Sequence, residues 1–156
     1  MEKILKADLT TEGIEVLDYE PKSWGCYGRG LALKLVASSV PHYAGRYSPE
    51  NAIALVPGIL TGCKVASCCR VTIASKRGKG EGLQVCNVSG NLPQKMASLS
   101  IAGLLICGKS TEKNAVLHIG EDSAEIIHMP ELERKDTGTI VERLKKRFGA
   151  DAAILG

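Results

Sequence analysis

Hydrophobic and polar positions alternate along residues 3–9, break at Thr10-Thr11-Glu12-Gly13, and alternate again along residues 14–19. That period of two, interrupted by a small-residue turn, predicts an opening β-hairpin. Residues 31–40 carry apolar side chains at helical spacing after Gly28-Arg29-Gly30 and stop before Pro41, which predicts a buried helix. Residues 52–56 form a short, wholly apolar strand. A second hairpin follows, with strands at 69–75 and 83–88 around the polar, glycine-rich loop 77–82. Asn91-Leu92-Pro93 reads as a helix start with Asn91 as the cap and Pro93 in the first turn, the helix running to about Ser100. Further strands are predicted at 104–107, 115–119 and 125–129. A last helix follows over 137–148, with the stripe Ile140, Val141, Leu144 and Phe148 and a basic C-terminal turn. Residues 152–155 read as a closing strand. About eight strands, mostly in hairpins, with about three helices predict an α+β fold built on a large mixed sheet in a single domain, residues 1–156.

Composition narrows the function classes. The chain has 156 residues, enough for one core, and only one Phe and one Trp, so that core must be aliphatic. A net charge of +3, without a basic stripe interleaved with aromatics, argues against nucleic acid. No apolar run approaches the roughly 20 residues that a membrane span needs. Six cysteines and an opening that does not resemble an export signal predict reduced thiols and a cytoplasmic protein.

The candidate chemistry lies where strands end in small-residue turns, because such turns leave backbone N–H groups free for a ligand. Ser48-Pro49-Glu50-Asn51, the turn from Pro57-Gly58 to Gly62, Arg70, and Asn87-Val88-Ser89-Gly90 together suggest a floor for an anionic cofactor. Arg70 heads a strand, where its guanidinium fork either grips an anion or is merely solvated. Asn87 through Gly90 leads into a helix start, suited to an anion or to a plain strand-to-helix turn. Arg29 opens a helix, where positive charge opposes the macrodipole unless an anion is near. Cys63, Cys68 and Cys69 follow no familiar zinc or iron–sulfur spacing and read more simply as structural thiols. His42, His118 and His128 are scattered, no nucleophile–base–acid arrangement can be built, and no catalytic or metal-ligating residue is assigned.

The ordered set Gly28-Arg29-Gly30-Leu31-Ala32, Ser48-Pro49-Glu50-Asn51, Leu60-Thr61-Gly62, Arg70, Asn87 with Gly90, and Ala102-Gly103 leading to Gly108-Lys109 resembles the N-terminal domain of the aldehyde:ferredoxin oxidoreductase family, the tungsten-pterin enzymes. The resemblance implies a domain on which a tungsten- or molybdenum-bis-pterin cofactor rests, with Arg70, Asn87, Ser89 and Gly90 as cofactor-binding residues. In the family the arginine lies between the pterin and a 4Fe–4S cluster, and the reaction oxidises an aldehyde to a carboxylic acid, passing electrons to ferredoxin. The family turn Asn-Ser-Gly-Gly is here Asn87-Val88-Ser89-Gly90. The cluster cysteines and a further pterin loop of the family lie beyond residue 156, so the resemblance implies a cluster-bearing remainder or partner subunit, with self-association as a further expectation. The alternative is a non-catalytic binding or assembly protein that keeps the fold without the cofactor.

Overall fold

A computed structural model describes residues 2–77, 82–112 and 114–149. Strands β1 (Glu2–Asp8) and β2 (Gly13–Tyr19) form the opening hairpin. After a single helical turn, α1 (Pro21–Trp24), comes α2 (Gly28–Ser39), followed by β3 (Ala52–Pro57), β4 (Arg70–Lys76) and β5 (Leu83–Ser89). Then come α3 (Asn91–Ser98), β6 (Ile101–Cys107), the ribbon β7 (Ala115–Ile119) and β8 (Ala124–His128), and α4 (Thr137–Phe148). The predicted α+β class with a large mixed sheet is what the structure shows: six strands in the order β2-β1-β6-β3-β4-β5, plus the two-stranded ribbon.

Every pairing in the large sheet is antiparallel except β1 with β6, which run parallel because α2, the β3–β5 meander and α3 lie between them in the chain. The two faces bury different sets of side chains. On one, Leu31, Ala32, Leu35 and Val36 of α2 pack on Ile4, Ala54, Val56, Ala74 and Leu105. Their spacing puts a single stripe of the helix on the sheet, and each fully buried leucine or valine contributes about 2 kcal/mol. On the other, Met96 of α3 packs with Leu92 and Leu99 on Leu5, Leu55, Val71 and Leu104. A satellite cluster of Met129, Leu132 and Leu144, joined by Ile140 and Phe148, covers the ribbon. The ribbon is tied back to the first hairpin by His128, whose Nε2 lies 2.7 Å from Glu12 Oε1.

The element boundaries carry three corrections. The helix expected to reach about Ser100 and the strand expected from Leu104 both shift: α3 stops at Ser98, Ser100 takes φ 55°, and β6 begins at Ile101. The cap of α3 is Gly90, not Asn91, which is the first helical residue. The short turn α1 was not foreseen. The final helix is capped by Asp136: the Thr139 hydroxyl donates to its Oδ2 at 2.6 Å and Thr139 N to its Oδ1 at 3.0 Å, and these bonds, the hydroxyl's first, hold the carboxyl below the usual range. The strand expected at 152–155 lies outside the described residues. Among the described residues, no helix is long and apolar enough to cross a membrane.

Candidate functional site

The β4–β5 hairpin decides which of the candidate residues meet. Its register sets Arg70 opposite Ser89 and Thr72 opposite Asn87. Because side chains alternate along a strand, all four share one face of the sheet, the face that carries α2. The geometry shows it directly: Thr72 Oγ1 donates to Asn87 Oδ1 at 2.9 Å. Arg70 and Ser89 are exposed, and among the described residues neither side chain has a hydrogen-bond or ion-pair partner. Arg70 is nevertheless fixed through its backbone. Its carbonyl accepts from Gly58 N at 2.9 Å, and its N–H donates to Cys68 O at 3.1 Å.

One residue beyond Ser89 the chain turns at Gly90, with φ 148° and ψ −159°, a conformation that a side chain would strain. The cap position of α3 therefore has no side chain to accept the first helical N–H groups. Those donors and the positive end of the helix dipole face the same end of the sheet as Arg70. An added Cβ at Gly90 would meet nothing within 4 Å, so a flat or bulky group can approach the backbone there.

Beside this cluster, at the same sheet end, lies a cavity of about 670 Å³ between the N-terminus of α2, the start of the 58–69 loop and α3. Tyr19, Tyr27, Gly28, Pro57, Thr61 and Gln94 are among its walls; Arg70, Asn87, Ser89 and Gly90 are not. Sequence reasoning missed it. Pro57-Gly58 and Gly28 are each legible as turns, but nothing local says that they face each other. Tyr19 is nearly buried in its wall and donates to Cys26 O at 2.7 Å. Burial, reinforced by the neighbouring Cys26 and Glu2, pushes its hydroxyl up to about 12. A raised folded value means stability that is whole below the unfolded value of about 10 and lost as pH climbs to about 12. Ultraviolet titration of tyrosinate should show a step near 12 that is missing from Tyr19→Phe.

The structure separates other residues from this end. Ser48 through Asn51 lie at the opposite end of β3, where Asn51 hydrogen-bonds Arg46 O and the backbone of Lys76, so that motif holds the sheet together rather than lining the floor. Arg29 stands in the first turn of α2, exposed. In the 58–69 loop, Cys68 Sγ donates to Val65 O at 3.0 Å and Gln94 Nε2 donates to Cys69 Sγ at 3.1 Å. Partial desolvation and the adjacent Cys69 push the Cys68 thiol above its ordinary value. Among the described residues no three His, Cys, Asp or Glu side chains gather to hold a metal ion.

Residues 4–156 match the family described as the aldehyde ferredoxin oxidoreductase N-terminal domain. The chain belongs to that family. It is 25% identical over 152 residues to the tungsten-containing aldehyde ferredoxin oxidoreductase of Thermococcus kodakarensis, and 22% identical over 152 residues to that of Pyrococcus furiosus. Each alignment covers 96% of this chain and 25% of the relative, so the chain spans about a quarter of the length of the curated relatives it matches. Among solved structures it resembles the active-site complex BamBC of benzoyl coenzyme A reductase in complex with 1,5-dienoyl-CoA, with TM-score 0.85 and 25% identity, over 93% of this chain and 22% of that one.

Proposed function

We propose that this chain is the cofactor floor of an aldehyde ferredoxin oxidoreductase-type enzyme, holding a tungsten- or molybdenum-bis-pterin on Arg70, Asn87, Ser89 and the backbone at Gly90. The remaining polypeptide, or a partner subunit, completes the enclosure and carries the 4Fe–4S cluster. The observation that supports this reading most is the register of β4 with β5, which gathers Arg70, Asn87 and Ser89 on one face at the sheet end where the uncapped α3 begins. The residues fit such a group: a guanidinium without a protein partner among the described residues and helical N–H donors that no side chain caps suit the anionic oxygens that a phosphorylated pterin offers, and the open backbone at Gly90 admits a flat ring.

When bound, the metal–pterin group supplies the oxidation of an aldehyde to a carboxylic acid, with electrons leaving through the cluster to ferredoxin. This chain's residues bind and orient it. Ile59, Leu60 and Val65 stand more than half exposed on the 58–69 loop at the same end, an apolar surface that the remaining polypeptide would cover. A second reading concerns the substrate alone. The resemblance to a benzoyl coenzyme A reductase complex covers nearly the whole domain, so the same floor serves an aryl thioester reductase equally well, and residues elsewhere would choose between the two.

The test is metal and pterin analysis of the protein purified together with its remaining polypeptide. Tungsten or molybdenum and pterin should be present in the wild type. Arg70→Ala should retain roughly ten- to a hundred-fold less, the range of a hydrogen bond to a charged group at about 1.5–3 kcal/mol. Wild-type protein free of both would sink the reading and favour a non-catalytic binding or assembly role.

A further inference from the structure

We infer that Thr72 is a positioning residue that turns Asn87 so that its amide nitrogen, not its oxygen, faces the ligand. The inference rests on the cofactor-floor reading above and adds what kind of ligand edge the floor recognises.

Thr72 lies on β4 between Arg70 and Ala74, on the face that α2 covers, with Val56 directly across on β3. Its neighbours on that face, Ala54, Val56 and Ala74, are buried and apolar. At 8% exposure it is one of two buried polar or charged residues among those described, in a place where valine would pack equally well and is at least as good a strand former. Among the described residues the hydroxyl makes a single hydrogen bond: it donates to Asn87 Oδ1 at 2.9 Å.

A carboxamide has one acceptor end and one donor end, and a hydroxyl donor can engage only the acceptor. With Oδ1 held by Thr72, the two N–H bonds of Asn87 Nδ2 are left over. Among the described residues they meet no protein acceptor. Asn87 is exposed, so this amide is presented outward beside the Arg70 guanidinium and the Ser89 hydroxyl. Three side chains then offer donors together, and the floor reads a run of acceptor atoms: ring carbonyl or phosphate oxygens, not an N–H edge. Without Thr72, Asn87 would rotate freely and present either end.

Four variants of the complete complex test this: Thr72→Val, Thr72→Ser, Asn87→Asp and Arg70→Ala, each read by cofactor content per chain and by melting temperature. Thr72→Val should melt no lower than wild type yet retain about tenfold less cofactor, the worth of one oriented hydrogen bond. Thr72→Ser, which keeps the hydroxyl, should restore retention. Asn87→Asp, which keeps the acceptor for Thr72 but replaces the outward donor with negative charge, should fall at least as far as Thr72→Val. In the chain itself, the Asn87 side-chain amide resonances should be ordered in wild type and Thr72→Ser and averaged in Thr72→Val. If Arg70→Ala keeps its cofactor, the floor reading itself is wrong. If Arg70→Ala loses it while Thr72→Val does not, or if Thr72→Ser fails to rescue, the positioning role is overturned and the floor reading stands.

Discussion

Asn51→Ala is expected to destabilise the fold by about 3 kcal/mol, although the side chain touches neither core. Its Oδ1 accepts from Ala52 N at 2.8 Å and Lys76 N at 3.2 Å, and its Nδ2 donates to Arg46 O at 2.8 Å and Lys76 O at 3.3 Å. One carboxamide therefore ties the 41–50 loop to the start of β3 and the end of β4. Alanine removes every partner at once and leaves part-buried backbone groups unpaired, each worth about 1–3 kcal/mol, with water recovering some of the loss. Asn51→Asp should be nearly as costly, because it keeps the acceptor and sets a carboxylate against two carbonyls. Equilibrium denaturation reads both. A midpoint within experimental scatter of wild type for Asn51→Ala would show that this end of the sheet closes without the knot.

Gly108→Ala should cost a similar amount, on different grounds. Gly108 follows β6 with φ +78°, and a Cβ there would stand 2.5 Å from Asp8 Oδ1, 2.6 Å from Thr10 Oγ1 and 2.9 Å from Thr10 N. The carboxylate cannot step aside cheaply, since Asp8 Oδ1 accepts from Thr10 N at 2.8 Å and so shapes the β1–β2 turn. A left-handed backbone angle adds about 1 kcal/mol for alanine. The clash adds the loss of that turn hydrogen bond and of the bond from Lys109 N to Thr10 Oγ1 at 3.0 Å. Thermal unfolding of Gly108→Ala beside Gly120→Ala, whose added Cβ would meet nothing closer than 3.6 Å, separates the close approach from a general intolerance of alanine. Equal losses in the two would refute the steric account.

The two hairpins, β3 and the helices α2, α3 and α4 are written in local patterns, and the observed elements match the expected ones to within a few residues. Local patterns are strong there because each element meets its core with one periodic stripe. Two kinds of feature were not legible. The first is short or interrupted structure: α1 is one turn, and β6 carries Gly103, which reads as a breaker although the sheet runs through it from Ile101. The second is everything that depends on distant pairing. The motif at residues 48–51 looked like part of a floor because polar turn residues look alike in sequence. Only the direction of β3 reveals that it stands at the far end. Arg70, Ser89 and Asn87 could be named individually as strand-end residues, whereas their sharing a face follows from the register, which hairpin loop length alone did not fix. Thr72 carries no local signal, since a threonine in an alternating run is ordinary until its cross-strand neighbour is known.

The seating of β6 has a consequence for biogenesis. That strand is laid between β1 and β3, which share no ladder of their own. Until Ile101 through Cys107 are available, an emerging chain has two unsealed half-sheets, each exposing a naked ladder of amides and carbonyls. Nascent chains stalled before that point should recruit chaperones or clump, and release should come abruptly once the seventh residue of the wedge has left the ribosome.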